Sequence, residues 1–128
     1  MDDSALKGGD QISASLLRAL EASRISIVVL SENYAFSTWC LEELVNIVRC
    51  RRTYAQVVLP IFYDVDPSDV RKQTGRFDEA MVRHIRRFGD KSEKIKEWRS
   101  ALTEIANLRG WDFRYGYLCH FFFSHSYI

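Results

Sequence analysis

The chain is short of paired cysteines, of long apolar runs and of net charge, and each shortage excludes something. Its 128 residues hold three cysteines, Cys40, Cys50 and Cys119, an odd number with no Cys-x-x-Cys among them. That argues against a disulfide framework and fits a reducing compartment. No apolar run approaches the roughly 18 residues that cross a bilayer, and the acidic opening "MDDSALKGGD" does not read as a signal peptide. The expectation is therefore a cytoplasmic protein, with the nucleus a further address, and no membrane partner. The net charge is only +1. The densest basic run, "RHIRRF" at Arg83 to Phe88, reads as a solvated helix face well before it reads as a nucleic-acid contact.

What is present is the composition of an ordinary globular domain, 47% hydrophobic and 27% charged, with enough chain for one modest core. Charge is unevenly spread. Met1 to Glu43 carries seven acidic and three basic residues, while the remainder carries ten acidic and fifteen basic.

The middle of the chain alternates helix and strand. Ile12, Leu16, Leu17 and Leu20 recur at one-face spacing and predict a helix over Ile12 to Glu21. "RISIVVL" (Arg24 to Leu30) is a β-branched, nearly continuous apolar run, predicting a strand buried on both faces. Trp39 to Arg49 is the next helix. "QVVLPIFY" (Gln56 to Tyr63) is another strand, with Pro60 suiting an edge or a bulge. "DVDPSDVRKQTG" is turn-rich, and Asp66-Pro67-Ser68-Asp69 predicts a turn into a capped short helix. Phe77 to Phe88 and Lys91 to Leu108 follow as helices, the second with Ile95, Trp98, Leu102 and Ile105 as its core stripe. Gly110 to Phe113 is a candidate short strand. The pattern predicts an α/β fold with a parallel sheet and helices on both faces.

Both ends depart from that plan. The opening residues read as the end of a strand and a polar loop before the first helix. The last eighteen residues, "WDFRYGYLCHFFFSHSYI", hold eight aromatics and neither period. Residues 112–128 are therefore expected to form an unpacked tail. Cys119, His120 and His125 lack a fourth ligand at any strong spacing, and no metal site is expected there.

Two chemistries are worth weighing. Asp64 and Asp66 at a strand end resemble the acidic site of a phosphoacceptor receiver, but the further acidic pair and the later lysine that such a site needs are not visible. The second is "FSTWCLEEL" (Phe36 to Leu44). At roughly 100° per residue, Leu41, Leu44, Val45 and Val48 form the core stripe, while Trp39 and Glu43 lie together on the opposite side. Such a helix start, just past the end of a buried strand, is where open α/β sheets place their ligand clefts. Spacing alone favours the plainer reading, in which early acidic residues support the helix dipole and Trp39 covers the sheet end.

"SRISIVVLSENYAFSTWCLEELVNIVRC", "VVLPIFYDVDPSDVRKQTGRF" and "EWRSALTEIANLRGW", in that order, resemble the plant Toll/interleukin-1 receptor (TIR) domain of intracellular immune receptors. The resemblance covers about Met1 to Trp111. It implies a flavodoxin-like three-layer fold with strand order 2-1-3-4-5, of which the first strand, the first helix and most of the second strand would be absent here. On that order the edge of the Ile25 to Leu30 strand would be exposed. The resemblance further implies hydrolysis of NAD⁺ or NADP⁺ as substrate, with no cofactor, at the nicotinamide–ribose bond. Glu43 would be the catalytic carboxylate, with Ser37 and Trp39 as pocket walls and Glu42 a solvated neighbour. "LKGG" (Leu6, Lys7, Gly8, Gly9) would be the mobile BB loop, with Lys7 a contact to substrate. The implied partners are other TIR domains, and the alternative function is a catalytically weak fragment acting as a TIR–TIR adaptor or decoy.

Overall fold

The computed structural model describes residues 25–54, 56–114 and 117–122. The expected helix at Ile12 to Glu21 lies outside them. The elements are β1 (Ile25–Leu30), a 3₁₀ turn (Tyr34–Phe36), α1 (Thr38–Tyr54), β2 (Val57–Tyr63), α2 (Pro67–Lys72), α3 (Arg76–Phe88), α4 (Glu93–Ala106), β3 (Gly110–Arg114) and β4 (Tyr117–Phe122). One sheet has the order β1-β2-β3-β4. Its first two pairings are parallel and the last is antiparallel.

Because β1, β2 and β3 step across the sheet in one direction, right-handed crossovers all pass over the same face. That face carries Val28, Leu30, Val58 and Phe62, which join Leu41, Leu44, Val48, Phe77, Trp98 and Leu102 in a single core. Ile27 is 57% and Val29 52% exposed on the other face, alongside Val57 and Tyr63. So β1 alternates, where its apolar run predicted burial on both faces. Among the described residues the helices likewise cover one face, where the alternation of elements predicted two covered faces. β1 is the outermost strand of the described sheet.

Helix α1 runs five residues beyond the predicted Arg49, to Tyr54. Arg51 and Arg52 in its last turn suit the negative end of the helix dipole, and both pair with Glu104 of α4. Leu41, Leu44 and Val48 are the buried stripe, at 0%, 0% and 2% exposure. Burying each leucine contributes about 2 kcal/mol. On α4 the predicted Ile95, Trp98, Leu102 and Ile105 are all buried.

Pro60 sits in a central strand and in unbroken register with Val28, not at an edge or a bulge. Its position explains this. In a parallel ladder a residue's nitrogen and carbonyl face the same neighbour, and the Pro60 carbonyl faces β3. The β2–β3 ladder begins only at Ile61 opposite Trp111, so no donor is demanded of the proline. Gly110 fits there because it has no side chain: a Cβ would lie 2.2 Å from the Pro60 carbonyl oxygen and 2.7 Å from its Cγ.

The expected boundary near residue 111 falls inside β3, and the expected unpacked tail supplies β4, whose backbone pairs with β3. The register shifts between Asp112 and Phe113. Such an irregularity breaks the two-residue period by which a strand is read from sequence.

Gly110→Ala is expected to destabilise the domain by about 3 kcal/mol, since both the proline and the backbone opposite would have to move. Urea unfolding followed by tryptophan fluorescence would show the lowered midpoint.

Candidate functional site

The start of α1 is held from several sides. Ser37 caps it: its Oγ accepts from the Cys40 amide at 3.1 Å and its carbonyl accepts from the Leu41 amide at 3.0 Å. Tyr34 Oη donates to the Cys40 carbonyl at 3.1 Å, stitching the 3₁₀ turn to the helix. The buried His84 of α3 places Nε2 2.8 Å from the Ala35 carbonyl. Since a carbonyl only accepts, that nitrogen carries the proton. Phe36 lies under two guanidinium groups, Arg76 at 4.4 Å and Arg83 at 5.0 Å from the ring centre. Arg76 also donates to Asn33 Oδ1 at 2.6 Å.

On this anchored turn, Trp39 is 72% exposed. Glu43, four residues on, is exposed on the same side of the helix and forms no ion pair among the described residues. Its charge is nonetheless felt. Burial first, then Cys40 and the Glu43 carboxylate, push the Tyr34 phenol well above its ordinary range. Ser37, Trp39 and Glu43 therefore share the opening turns of one helix, at the C-terminal side of β1. Lys7, with Leu6, Gly8 and Gly9, lies outside the described residues.

Glu42 is about half-exposed, as expected of a solvated neighbour, but it is also tied to α4. Its Oε2 accepts from Lys94 Nζ and from the indole Nε1 of Trp98, each at 3.1 Å. The reason is positional. The wheel places Glu42 at the flank of α1, and that flank faces α4. Sequence spacing could not show which neighbour the flank would meet.

A second polar cluster lies at the strand ends, where Glu32, Asp64, Val65, Asp66 and Arg114 line an open cleft of about 400 Å³. Asp66 caps α2 as predicted, accepting from the Ser68 amide at 2.9 Å with Pro67 in the first turn. That hydrogen bond holds its carboxyl below the usual range. Arg114 and Arg71 assist, and partial desolvation opposes. Asp112 is fully buried and bound by Arg114 through two hydrogen bonds, at 3.1 and 3.0 Å. Sequence reasoning missed this pair. Its only signal was Asp-x-Arg, two residues apart on one face of a short strand. The cluster ties β3 to the α2 cap, since Arg114 also lies 3.7 Å from Asp66. Among the described residues no three His, Cys, Asp or Glu side chains are grouped to hold a metal. The side chains of Cys119, His120 and His125 lie outside that description.

Three parallel strands with helices packed on them accord with the fold that the TIR resemblance implied, and comparison with known proteins agrees on the family. The family model described as TIR domain matches residues 1–121. The chain is 52% identical over 109 residues to disease resistance protein RPV1 of Vitis rotundifolia and 50% identical over 109 residues to TMV resistance protein N of Nicotiana glutinosa. Each match covers 85% of this chain but only 8% and 10% of the relative, so the chain spans about a tenth of their length. The TIR domains in a structure of the activated Roq1 resistosome, which directly recognises the pathogen effector XopQ, align with a TM-score of 0.68 at 46% identity. That alignment covers 85% of this chain and 66% of the other. The chain belongs to the TIR domain family.

Two outcomes follow from the geometry. Ser37→Ala is expected to cost about 1 kcal/mol by removing the α1 cap, read as a lowered urea midpoint. Asp66 has a depressed folded pKa, so its contribution is present above the unfolded value of about 3.9 and is lost as pH falls through the folded one. The stability gap between wild type and Asp66→Ala should therefore narrow between pH 6 and pH 2.5 in parallel denaturation series.

Proposed function

We propose that this TIR domain cleaves NAD⁺, or NADP⁺, at the nicotinamide–ribose bond, with Glu43 as the catalytic carboxylate. The observation that carries the reading is the exposed Glu43, unpaired among the described residues and one turn from the exposed Trp39, on a helix start fixed by Ser37, Tyr34 and His84. Cleavage develops positive charge on the ribose as the bond to nicotinamide lengthens. A carboxylate without a competing cation stabilises that charge and can hold the ribose hydroxyls. Nicotinamide departs as a neutral base and needs no acid to protonate it, so one carboxylate suffices. An exposed indole offers a face on which an aromatic ring of the dinucleotide can stack. Ser37 is committed to the cap through its Oγ, and its role toward substrate is to shape the wall beside Trp39. Lys7 would contribute a cation from the preceding loop.

The relatives are disease resistance proteins, and the matched TIR domains belong to an assembled resistosome. These names support a role in plant defence signalling, with other TIR domains as partners. The second reading, an interaction module with weak catalysis, is favoured by one observation. Ile27, Val29, Val57 and Tyr63 leave an apolar sheet face exposed beside the outermost strand β1.

Incubation of the purified chain with NAD⁺, followed by chromatography of released nicotinamide, separates the two. The enzymatic reading expects turnover that Glu43→Ala lowers by about 10²-fold or more. Turnover undiminished in Glu43→Ala would remove the carboxylate from the mechanism. No turnover at any protein concentration would favour the interaction module.

A further inference from the structure

Trp98 is among the most buried side chains of the domain, at 1% exposure. It meets His84 edge-on at 5.0 Å and Phe88 at 5.7 Å. Its indole N–H is the only polar group of that side chain, and leaving it without an acceptor would cost about 1–3 kcal/mol. The acceptor is Glu42 Oε2 on the second turn of α1. Lys94, one turn earlier on α4, donates to the same oxygen, and its ammonium lies 5.9 Å from the Trp98 ring centre. Lys94 compensates the charge of Glu42, while the indole N–H gives the contact its direction.

The adjacent residue is Glu43. Consecutive helical residues point roughly 100° apart, so fixing one fixes the heading of the next. The buried stripe of Leu41, Leu44 and Val48 holds α1 against the core and turns Glu43 outward, but it leaves the fine roll about the helix axis to directional contacts. A hydrogen bond to a ring locked in the core resists it directly. We propose that Glu42 is a positioning residue. Its bond to Trp98 sets the roll of the first two turns of α1, and so aims Glu43 at the ribose.

The proposal rests on the NAD⁺-cleaving reading for its catalytic consequence, and on the Glu42–Trp98 bond for its structural one. Both are testable in the full chain. Glu42→Ala is expected to lower kcat for nicotinamide release about tenfold with KM within about twofold, as for a misaimed group rather than a lost binding contact. Glu42→Gln keeps an amide oxygen for the indole and should recover kcat to within about threefold of wild type. Trp98→Phe removes the N–H together with part of the buried ring, so the reading is the coupling: Glu42→Ala added to Trp98→Phe should cause no further loss of kcat. Lys94→Ala should leave kcat nearly unchanged. A Glu42→Ala chain with unaltered kcat, or a loss that Gln does not restore, would overturn the proposal.

If the wild-type chain releases no nicotinamide, the catalytic reading fails first, and the tie is judged by NMR. The Trp98 indole proton should exchange slowly with solvent in wild type and Glu42→Gln, and about tenfold faster in Glu42→Ala, with shifted amides from Cys40 to Val45. Unchanged exchange and unchanged amides in Glu42→Ala would show that the bond positions nothing.

Discussion

The docking of α1 is the constraint on which the rest of the structure depends. Its aliphatic stripe of Leu41, Leu44 and Val48 is sealed against the sheet and α4. Once those three are committed to the core, helical geometry leaves Trp39 and Glu43 no heading but outward. The same docking brings Glu42 to α4, and the two C-terminal arginines Arg51 and Arg52 to Glu104. One helix is thus tied to its neighbour by a polar contact near each end and an apolar seam between. The catalytic candidate lies on the side left over. Its preparation is therefore a matter of packing before it is a matter of charge.

Support for the helix start comes from residues remote in sequence. His84 is 49 positions from the carbonyl it holds, and Arg76 is 43 positions from Asn33. Arg76 and Arg83 close over Phe36, so the exposed Trp39 stands on a turn whose neighbours are fixed. This is the arrangement expected of a site that must present a carboxylate in one direction. A loop with no such anchors would spend the same side chains in many orientations.

Local pattern was enough to read much of this from sequence. The stripes of α1 and α4, the Asp66 cap, and the parallel pairing of two β-branched runs all follow from spacing and capping chemistry within a few residues. What was not legible depended on partners far along the chain. Apolar residues on both parities of Ile25 to Leu30 suggested a strand covered twice, whereas exposure depends on where crossovers pass, a property of strand order. Pro60 looked like an edge residue, yet it needs only that the β2–β3 pairing begin one position later, at Ile61. The helical wheel set Glu43 beside Trp39 and Glu42 at the flank, but only the folded chain shows that this flank meets Trp98. Asp112 and Arg114 were hidden in an aromatic segment whose register shift erased its period.

The central claim is that packing of α1 aims the Glu43 carboxylate at a ribose. A crystal structure of the chain with a non-hydrolysable NAD⁺ analogue would test it most directly. The account predicts the nicotinamide ribose hydroxyls within about 2.6–3.2 Å of Glu43, the range of a productive hydrogen bond, with an aromatic ring of the ligand against Trp39. An analogue bound elsewhere on the domain, with Glu43 turned to solvent, would contradict it.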